Sequence, residues 1–189
     1  MTVKNIKCDV AIVGGGLAGG LIALALAKMR PELHVVLIEQ GQSFGGNHIW
    51  SYFASDILPE HRWLTAPLVT YGWSGYDVQF PAHSRSLDNI YYSIESEHFD
   101  WVLRKELPAS SLMLGREVKA VSPRLVVLDG AQRINAGGVI DARGPGDLHH
   151  LDCGWQKFTG QLLQLSEPHN LTKPIVMDAT VDQHDGLKM

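Results

Sequence analysis

Residues 8–20 read CDVAIVGGGLAGG, and their pattern is the clearest evidence for the fold class. The apolar, partly β-branched residues in front of the glycines are typical of a buried parallel strand, predicted over 8–13. The Ala- and Leu-rich run LAGGLIALALAKM predicts a helix over 17–29, which ends before Pro31. A second buried strand, HVVLIE, is predicted over 34–39. These segments form a β-α-β unit with a right-handed crossover, and therefore predict an α/β fold.

The glycines follow the pattern G-x-G-x-x-G and lie directly between the predicted strand and helix. Gly14 allows the tight turn, Gly16 lets the backbone approach a diphosphate, and Gly19 lets helix and strand pack closely. The N–H groups at the start of the helix, near Leu17 and Ala18, have no helical partner and attract phosphate. The motif predicts a Rossmann-like dinucleotide site, with a purely structural glycine turn as the alternative.

Glu39 lies at the end of the second predicted strand, about twenty residues past the glycine motif. A carboxylate in this place accepts hydrogen bonds from a ribose 2′-hydroxyl. It also disfavours a 2′-phosphate, so we do not expect NADP in this pocket.

Composition favours one domain of ordinary size and excludes several functions. The chain has 189 residues, of which 45% are hydrophobic, and a net charge of −4, without a basic block for nucleic acid. Cys8 and Cys153 have neither metal nor redox spacing, and free thiols in a reducing cytoplasm are favoured over a disulfide. No signal peptide is visible, and the glycines at 14–20 argue against a membrane span over 8–29.

Helices and strands alternate in the middle of the chain. A short helix over 55–69 is interrupted by Pro59 and Pro67, and strands follow over 76–80 and 89–94. A second helix is predicted with Ser96 as its candidate N-cap. Its apolar residues fall at helical spacing; they are Phe99, Val102, Leu103 and Leu107.

The remaining chain is predicted to form strands. Three short runs separated by turns predict a three-stranded antiparallel ribbon, and a buried strand that ends in glycines follows. Two later runs also have the composition of strands. The ribbon covers 111–114, 117–121 and 124–128, and the later strands cover 137–146, 158–166 and 174–182.

A second glycine pair after Glu39, the ribbon, and the segment VIDARG at 139–144 together resemble FAD-binding enzymes of the glutathione-reductase type, particularly the flavin hydroxylase branch. The resemblance implies that the glycine pair lets the chain pass close to the dinucleotide. It also implies a backbone contact to adenine near the ribbon, and favours FAD over NAD. The residues so implied are Gly45, Gly46, Val118, Ala142 and Gly144.

The stretch GGNHIWS at 45–51 is similar to bacterial lycopene β-cyclases, as is PIVMDATVDQ at 174–183. The resemblance extends along nearly the whole chain, to about residue 186. Family members are roughly twice as long and usually continue with Gly, an aromatic residue, Arg and Phe. This sequence instead ends in GLKM at 186–189, so we expect a truncated N-terminal half.

The resemblance implies an incomplete FAD/NAD(P)-binding domain over 1–189, with 50–95 and 155–189 contributing part of an antiparallel sheet on the substrate side. It implies the non-redox cyclisation of lycopene end groups to β-ionone rings, with reduced FAD and NAD(P)H as a candidate reductant. Because lycopene dissolves in the bilayer, we expect a cytoplasmic protein that associates peripherally with the membrane.

Cyclisation needs a protonated acid, and the acidic motif proposed for the family lies beyond residue 189. Asp178 is the candidate within this chain; Asp182 is predicted on the same strand face, where a solvated role is favoured. Trp50 and His48 are candidates for lining the substrate tunnel, and Asn47 for a contact near the flavin. Core packing is the alternative for Trp50, and a structural hydrogen bond is the alternative for His48.

No metal site is predicted, because adjacent histidines such as His149 and His150, beside Asp147 on a polar loop, seldom complete one. Two other functions remain open. One is a flavin-dependent oxidoreductase, either a hydroxylase or a polyprenyl reductase, which would consume NAD(P)H stoichiometrically. The other is an inactive nucleotide-binding fragment.

Overall fold

The computed structural model describes residues 5–144, 146, 149–154, 160–180, 183–184 and 187–188. The chain divides into two compact units. The first comprises Met1–Ser51, Ile57–Tyr71 and Ser93–Gly144, and the second Tyr52–Asp56, Gly72–Tyr92 and Pro145–Met189. In chain order the strands of the described residues are β1 (Ile6–Val13), β2 (Val35–Ile38), β3 (Ile49–Phe53), β4 (Tyr71–Trp73), β5 (Tyr76–Phe80), β6 (His83–Leu87), β7 (Tyr91–Glu95), β8 (Leu112–Met113), β9 (Val118–Ser122), β10 (Leu125–Leu128), β11 (Arg133–Asp141), β12 (Ile175–Asp178), β13 (Gln183–His184) and β14 (Leu187–Lys188), and the helices are α1 (Leu17–Met29), α2 (Arg62–Thr65) and α3 (Ser96–Glu106).

The predicted β-α-β unit is present in the first unit: β1 and β2 are parallel, and α1 connects them. All four residues of β2 and the last three residues of β1 are buried. Burial on both faces explains why these strands are continuous apolar runs rather than alternating ones. The longest described helix, α1, has 13 residues, and no described helix is long and apolar enough to cross a bilayer.

One six-stranded sheet organises the first unit, in the order β8-β2-β1-β11-β10-β9. β8, β2, β1 and β11 are parallel to one another, whereas β10 is antiparallel to both β11 and β9. Aliphatic side chains from several of these strands form a buried core. Its members are Ala11, Val13, Val36, Ile38, Val126, Leu128, Ile134 and Ala136.

One of the three strands predicted for the antiparallel ribbon does not belong to it. β8, predicted as the first ribbon strand, instead pairs with β2 at the edge of the parallel sheet. The turn at Gly115 explains this, because its N–H donates to the Gly41 carbonyl while the Glu39 N–H donates to the Met113 carbonyl. The third antiparallel strand is the beginning of β11, where Asn135 pairs with Leu125.

Helix α3 forms where predicted, and its apolar residues Phe99, Val102 and Leu103 are buried. The predicted N-cap was wrong: Glu95 occupies that position, and Ser96 is the first helical residue. The Ser96 N–H donates to the His48 carbonyl instead of taking part in a cap. In the predicted 55–69 helix, short 3₁₀ turns flank α2, with a proline at the start of two of them.

The second unit contains a mixed sheet in which β6 is antiparallel to β5 and β12 is parallel to it. β12 ends at Asp178, short of the predicted 174–182 strand, and residues 181–182 lie outside the described part. Residues 160–166 form no strand, contrary to prediction, and 158–159 are not described. The other sheets among the described residues are β3-β7-β4, whose residues are shared between the two units, and the β13–β14 pair. The assignment of 50–95 and 155–189 to a substrate-side sheet stays a prediction.

Candidate functional site

A cleft of about 610 Å³ lies in the first unit, where β1, β2 and β11 end. Parallel α/β sheets bind their ligands outside the carboxyl ends of the strands, and the cleft is in this position. Residues from three segments that the sequence singled out line it together. These residues are Gly14, Gly16, Leu17, Ala18, Gly45, Gly46, Ala142 and Gly144.

Gly14 and Gly19 leave no room for side chains at the turn between β1 and α1. Gly14 has φ +104°, and an added Cβ would lie 2.6 Å from the Ala142 carbonyl oxygen. A Cβ on Gly19 would lie 2.0 Å from the Gly14 carbonyl oxygen. The turn after β1 is thus packed against α1 and also against the end of β11, a contact that the motif did not predict.

Gly16 has a different role, because no heavy atom lies within 4 Å of the place where its Cβ would be. It is the N-cap of α1, which has no side-chain cap and no acidic residue in its first turn. The N–H groups of Leu17 and Ala18 are therefore available beside open space, at the positive end of the helix dipole. This arrangement suits an anion.

Glu39 follows β2, lines the cleft and joins two backbone segments. Its Oε2 accepts a hydrogen bond from the Gly15 N–H and its Oε1 accepts one from the Gly41 N–H, each at 2.8 Å. Each carboxylate oxygen has a second acceptor position, so the residue can still accept a ligand hydroxyl.

The second glycine pair adopts a conformation that favours glycine, with φ +82° at Gly45 and +65° at Gly46. The Gly45 N–H donates to the Gly15 carbonyl at 2.8 Å, so the two glycine segments are directly hydrogen-bonded. Asn47 is exposed and is not among the described residues that line the cleft.

His48 and Trp50 line the cleft beyond the glycine pair. Their ring centroids are 5.7 Å apart, and Trp50 packs edge-on against the buried Phe99 at 5.4 Å. The His48 carbonyl accepts a hydrogen bond from the Ser96 N–H. Trp50 is therefore partly a packing residue, although its ring also borders the cleft.

Val118, Ala142 and Gly144 line the cleft as well, together with two arginines that the motifs did not single out. Arg116 donates to Asp129 at 3.1 Å, and Arg143 donates to both carboxylate oxygens of Asp141. The only signal for Arg143 was its place inside VIDARG.

The hydrogen bonds from Arg143 hold the pKa of the Asp141 carboxyl below its ordinary value. The same pair raises the pKa of the Arg143 guanidinium. Both groups are charged at neutral pH, so the positive charge that Arg143 brings to the cleft is paired with the negative charge of Asp141.

The family model described as "Lycopene cyclase protein" matches residues 9–188. The chain belongs to this family. It is 46% identical to a lycopene beta-cyclase from Pseudescherichia vulneris and 42% identical to one from Pantoea ananas, in each case over 95% of this chain. The matched regions are 46% and 47% of those relatives, so the chain spans about half of their length.

Solved structures of other enzymes share the fold. A probable FAD-dependent monooxygenase from Pseudomonas aeruginosa aligns with a TM-score of 0.60 and 17% identity, over 80% of this chain and 48% of that one. A 2-methyl-3-hydroxypyridine-5-carboxylic acid oxygenase aligns at 0.55 and 17%, over 72% and 39%. These alignments confirm the Rossmann-like α/β fold class.

Asp178 is not among the described residues that line the cleft and belongs to the second unit. It is exposed at the end of β12 and accepts a hydrogen bond from the Thr180 N–H at 3.0 Å. The strand face that Asp178 was predicted to share with Asp182 is not formed by described residues, because β12 ends at Asp178. Its catalytic role in this family stays a prediction.

The rings of His149 and His150 are adjacent, and Asp147 lies outside the described residues. Within the described part of the chain, no group of three or more His, Cys, Asp or Glu residues could hold a metal ion.

Proposed function

We propose that the cleft binds the adenosine diphosphate part of FAD and that the whole protein is a lycopene β-cyclase. The observation that carries the first part is the uncapped start of α1 beside the open space at Gly16. Family membership and the identity to two lycopene beta-cyclases support the second part.

The residues present fit FAD along the cleft. The diphosphate would lie against the backbone of Gly16, Leu17 and Ala18, where N–H groups and the helix dipole favour negative charge. Glu39 would accept a hydrogen bond from the ribose, which leaves no favourable place for a 2′-phosphate. Val118 would offer its backbone to adenine.

Two further segments would flank the rest of the cofactor. Gly45 and Gly46 have no side chains to obstruct its approach, and Ala142 and Gly144 border the cleft from the end of β11. Asn47, although exposed, directly follows the glycine pair and would contact the flavin part. The reduced flavin would supply electron density near the carbocation or help to move a proton.

Cyclisation of a lycopene end group adds one proton to an alkene, forms a tertiary carbocation, closes the ring and releases one proton. There is no net oxidation or reduction. The protein must therefore supply an acid and keep water from trapping the cation. In this proposal Trp50 and His48 line the substrate side of the cleft, and the Trp50 ring also offers an aromatic face to the cation. Asp178 is the candidate acid within this chain, with the main acid outside it.

The substrate suggests where the protein acts. Lycopene is a hydrocarbon that resides within the bilayer, so we propose that the cytoplasmic protein associates peripherally with a membrane and that NAD(P)H keeps the flavin reduced.

Two measurements test the proposed function. The first is titration of the purified 189-residue chain with FAD, followed by flavin fluorescence; the absence of saturable binding would contradict the proposed cofactor site. The second is expression in lycopene-accumulating cells of this chain alone and of a chimera continued with the C-terminal half of the Pseudescherichia vulneris relative. We expect a red-to-orange change with the chimera alone.

Each result separates the alternatives. Conversion by the 189-residue chain alone would refute the placement of the main acid outside it. Stoichiometric NAD(P)H consumption by the chimera would identify a flavin oxidoreductase instead of a cyclase. FAD binding without conversion by either chain would support only a nucleotide-binding fragment.

A further inference from the structure

The loop over residues 40–46 lines the cleft but has no helix or strand of its own. It carries Gln40 and the second glycine pair into the site. The positive φ angles of Gly45 and Gly46 are favourable for glycine but do not impose this shape on the loop. Its conformation must therefore come from contacts with the rest of the first unit.

Two side chains of α3, one turn apart, supply such contacts. Asp100 Oδ1 accepts a hydrogen bond from the Phe44 N–H at 2.8 Å, and Arg104 Nη2 donates to the Gln42 carbonyl at 2.9 Å. Arg104 Nε also donates to Asp100 Oδ2 at 2.8 Å, so the ion pair fixes both side chains. A backbone N–H of the loop thus donates to a carboxylate, and a backbone carbonyl of the loop accepts from a guanidinium. Both are charge-assisted hydrogen bonds, which are stronger than those between neutral groups.

These contacts reach the nucleotide motif through Phe44, which is fully buried. Its ring packs so closely on Gly15 that an added Cβ there would lie 2.4 Å from Phe44 Cδ1. The next residue, Gly45, donates its N–H to the Gly15 carbonyl. A shift of Phe44 would therefore displace both glycine segments of the cleft.

We propose that Asp100 and Arg104 are positioning residues for the cofactor: they fix the 40–46 loop so that both glycine segments are preformed before the cofactor binds. This inference rests on the proposed FAD site. A preformed loop loses less conformational entropy on binding, so the pair should increase FAD affinity without touching FAD. The competing explanation is an ordinary ion pair between residues i and i+4 that stabilises only the helix.

The test compares five proteins, each as the whole 189-residue chain. These are the wild type, Arg104→Met, Arg104→Lys, the charge-swapped double variant D100R/R104D, and Lys105→Met as matched control. Lys105 neighbours Arg104 on α3, is exposed, and pairs with Glu106 rather than with the loop. The dissociation constant for FAD and the visible circular dichroism of the bound flavin are measured, with the melting temperature of each FAD-free protein.

We expect Arg104→Met to raise the dissociation constant about tenfold and Arg104→Lys to raise it less, because lysine keeps the charge but not the two-pronged geometry. The charge swap is the decisive variant. It keeps an ion pair on the helix but faces the Phe44 N–H with a donor and the Gln42 carbonyl with an acceptor. It should therefore bind FAD no better than Arg104→Met and change the flavin dichroism, whereas Lys105→Met should match the wild type.

The outcomes distinguish this inference from the proposed function. If the wild type does not bind FAD, the proposed cofactor site itself is wrong. If the wild type binds and the swap restores affinity, or Arg104→Met binds normally, the positioning role is refuted. Should Arg104→Met fail to fold, Arg104→Lys takes its place in the comparison: unchanged affinity and dichroism in that variant refute the proposal.

Discussion

Replacing Gly16 with alanine should weaken FAD binding and leave the fold unchanged, whereas the same change at Gly19 should destabilise the fold. The two glycines belong to one motif, and each variant adds one methyl group. They differ in what that methyl group meets. At Gly16 it finds no heavy atom within 4 Å, and at Gly19 it finds the Gly14 carbonyl oxygen at 2.0 Å.

The magnitudes follow from these surroundings. The Gly19 contact is more than about 1 Å shorter than an ordinary non-bonded separation, so the upper end of the range for overpacking applies, about 3 kcal/mol. For a chain of this size that lowers the melting temperature by roughly 6–12 °C. At Gly16, the weaker N-cap preference of alanine offsets its lower unfolded-state entropy, and the net change is within about 0.5 kcal/mol.

The loss of FAD affinity should be larger for Gly16→Ala than for Gly19→Ala, the reverse of the order for stability. A methyl group at Gly16 occupies the side from which the diphosphate would approach and should cost at least one charge-assisted hydrogen bond. Such a bond contributes about 1.5–3 kcal/mol, which corresponds to roughly a tenfold to hundredfold rise in the dissociation constant. Gly19→Ala that remains folded at low temperature should bind FAD better than Gly16→Ala does.

The assay pairs thermal melting of the FAD-free proteins with a fluorescence titration of FAD at about 10 °C, well below the expected melting range. Wild-type affinity in Gly16→Ala would refute the placement of the diphosphate at this helix start. A large loss of stability in Gly16→Ala would contradict the claim that a methyl group at this position meets no other atom.

Three further predictions concern charged and reactive groups. Carbon NMR should show the pKa of the Asp141 carboxyl below the ordinary value of an aspartate, and in Arg143→Met this pKa should rise back toward that value. Since the folded pKa is depressed, the contribution of the pair to stability, below about 1 kcal/mol, is present above the unfolded pKa and lost as the pH falls through the folded pKa. Burial, with a smaller effect of a neighbouring carboxylate, raises the pKa of Cys8 to about 11, so at pH 8 iodoacetamide should label Cys153 at least about tenfold faster, as followed by mass spectrometry. Glu39→Gln should lower the free energy of unfolding by about 1–2 kcal/mol in urea, because an amide offers only one acceptor oxygen to the two backbone N–H groups that the carboxylate satisfies.

The elements that the sequence predicted well depend on local patterns. Helix α1 has the predicted bounds, because its Ala- and Leu-rich residues favour a helix and glycines precede it. Strand β5 also has the predicted bounds. The predicted pairing of β8 was wrong because pairing does not depend on local pattern. The sequence of a two-residue strand does not indicate which strand it pairs with. The hydrogen bond from the Gly115 N–H to the Gly41 carbonyl, between residues far apart in the sequence, holds β8 beside β2.

The residues of the candidate site also fall into two groups, those that local sequence predicts and those that only the folded structure brings together. Gly14, Gly16 and Glu39 could be placed from spacing alone, since the motif specifies a strand, a turn and a helix as well as the residues. Arg116 and Asp100 could not, because their relevance arises only when separate segments meet in the first unit. The N–H group that Asp100 binds lies 56 residues earlier in the chain.

The carboxylate of Glu39 has a structural role in addition to the proposed hydrogen bond to a ribose. Its two oxygens accept the N–H groups of Gly15 and Gly41, one from each loop beside the cleft. The Gly15 carbonyl in turn accepts a hydrogen bond from the Gly45 N–H, and Asp100 of α3 accepts one from the neighbouring Phe44 N–H. The cleft is therefore bordered by a connected series of hydrogen bonds in which every donor is a backbone N–H and the side-chain acceptors are the carboxylates of Glu39 and Asp100. The glycine motif and its spacing point to Glu39 but not to Asp100, which is why a sequence motif can predict a nucleotide site here but not everything that keeps the two loops in place.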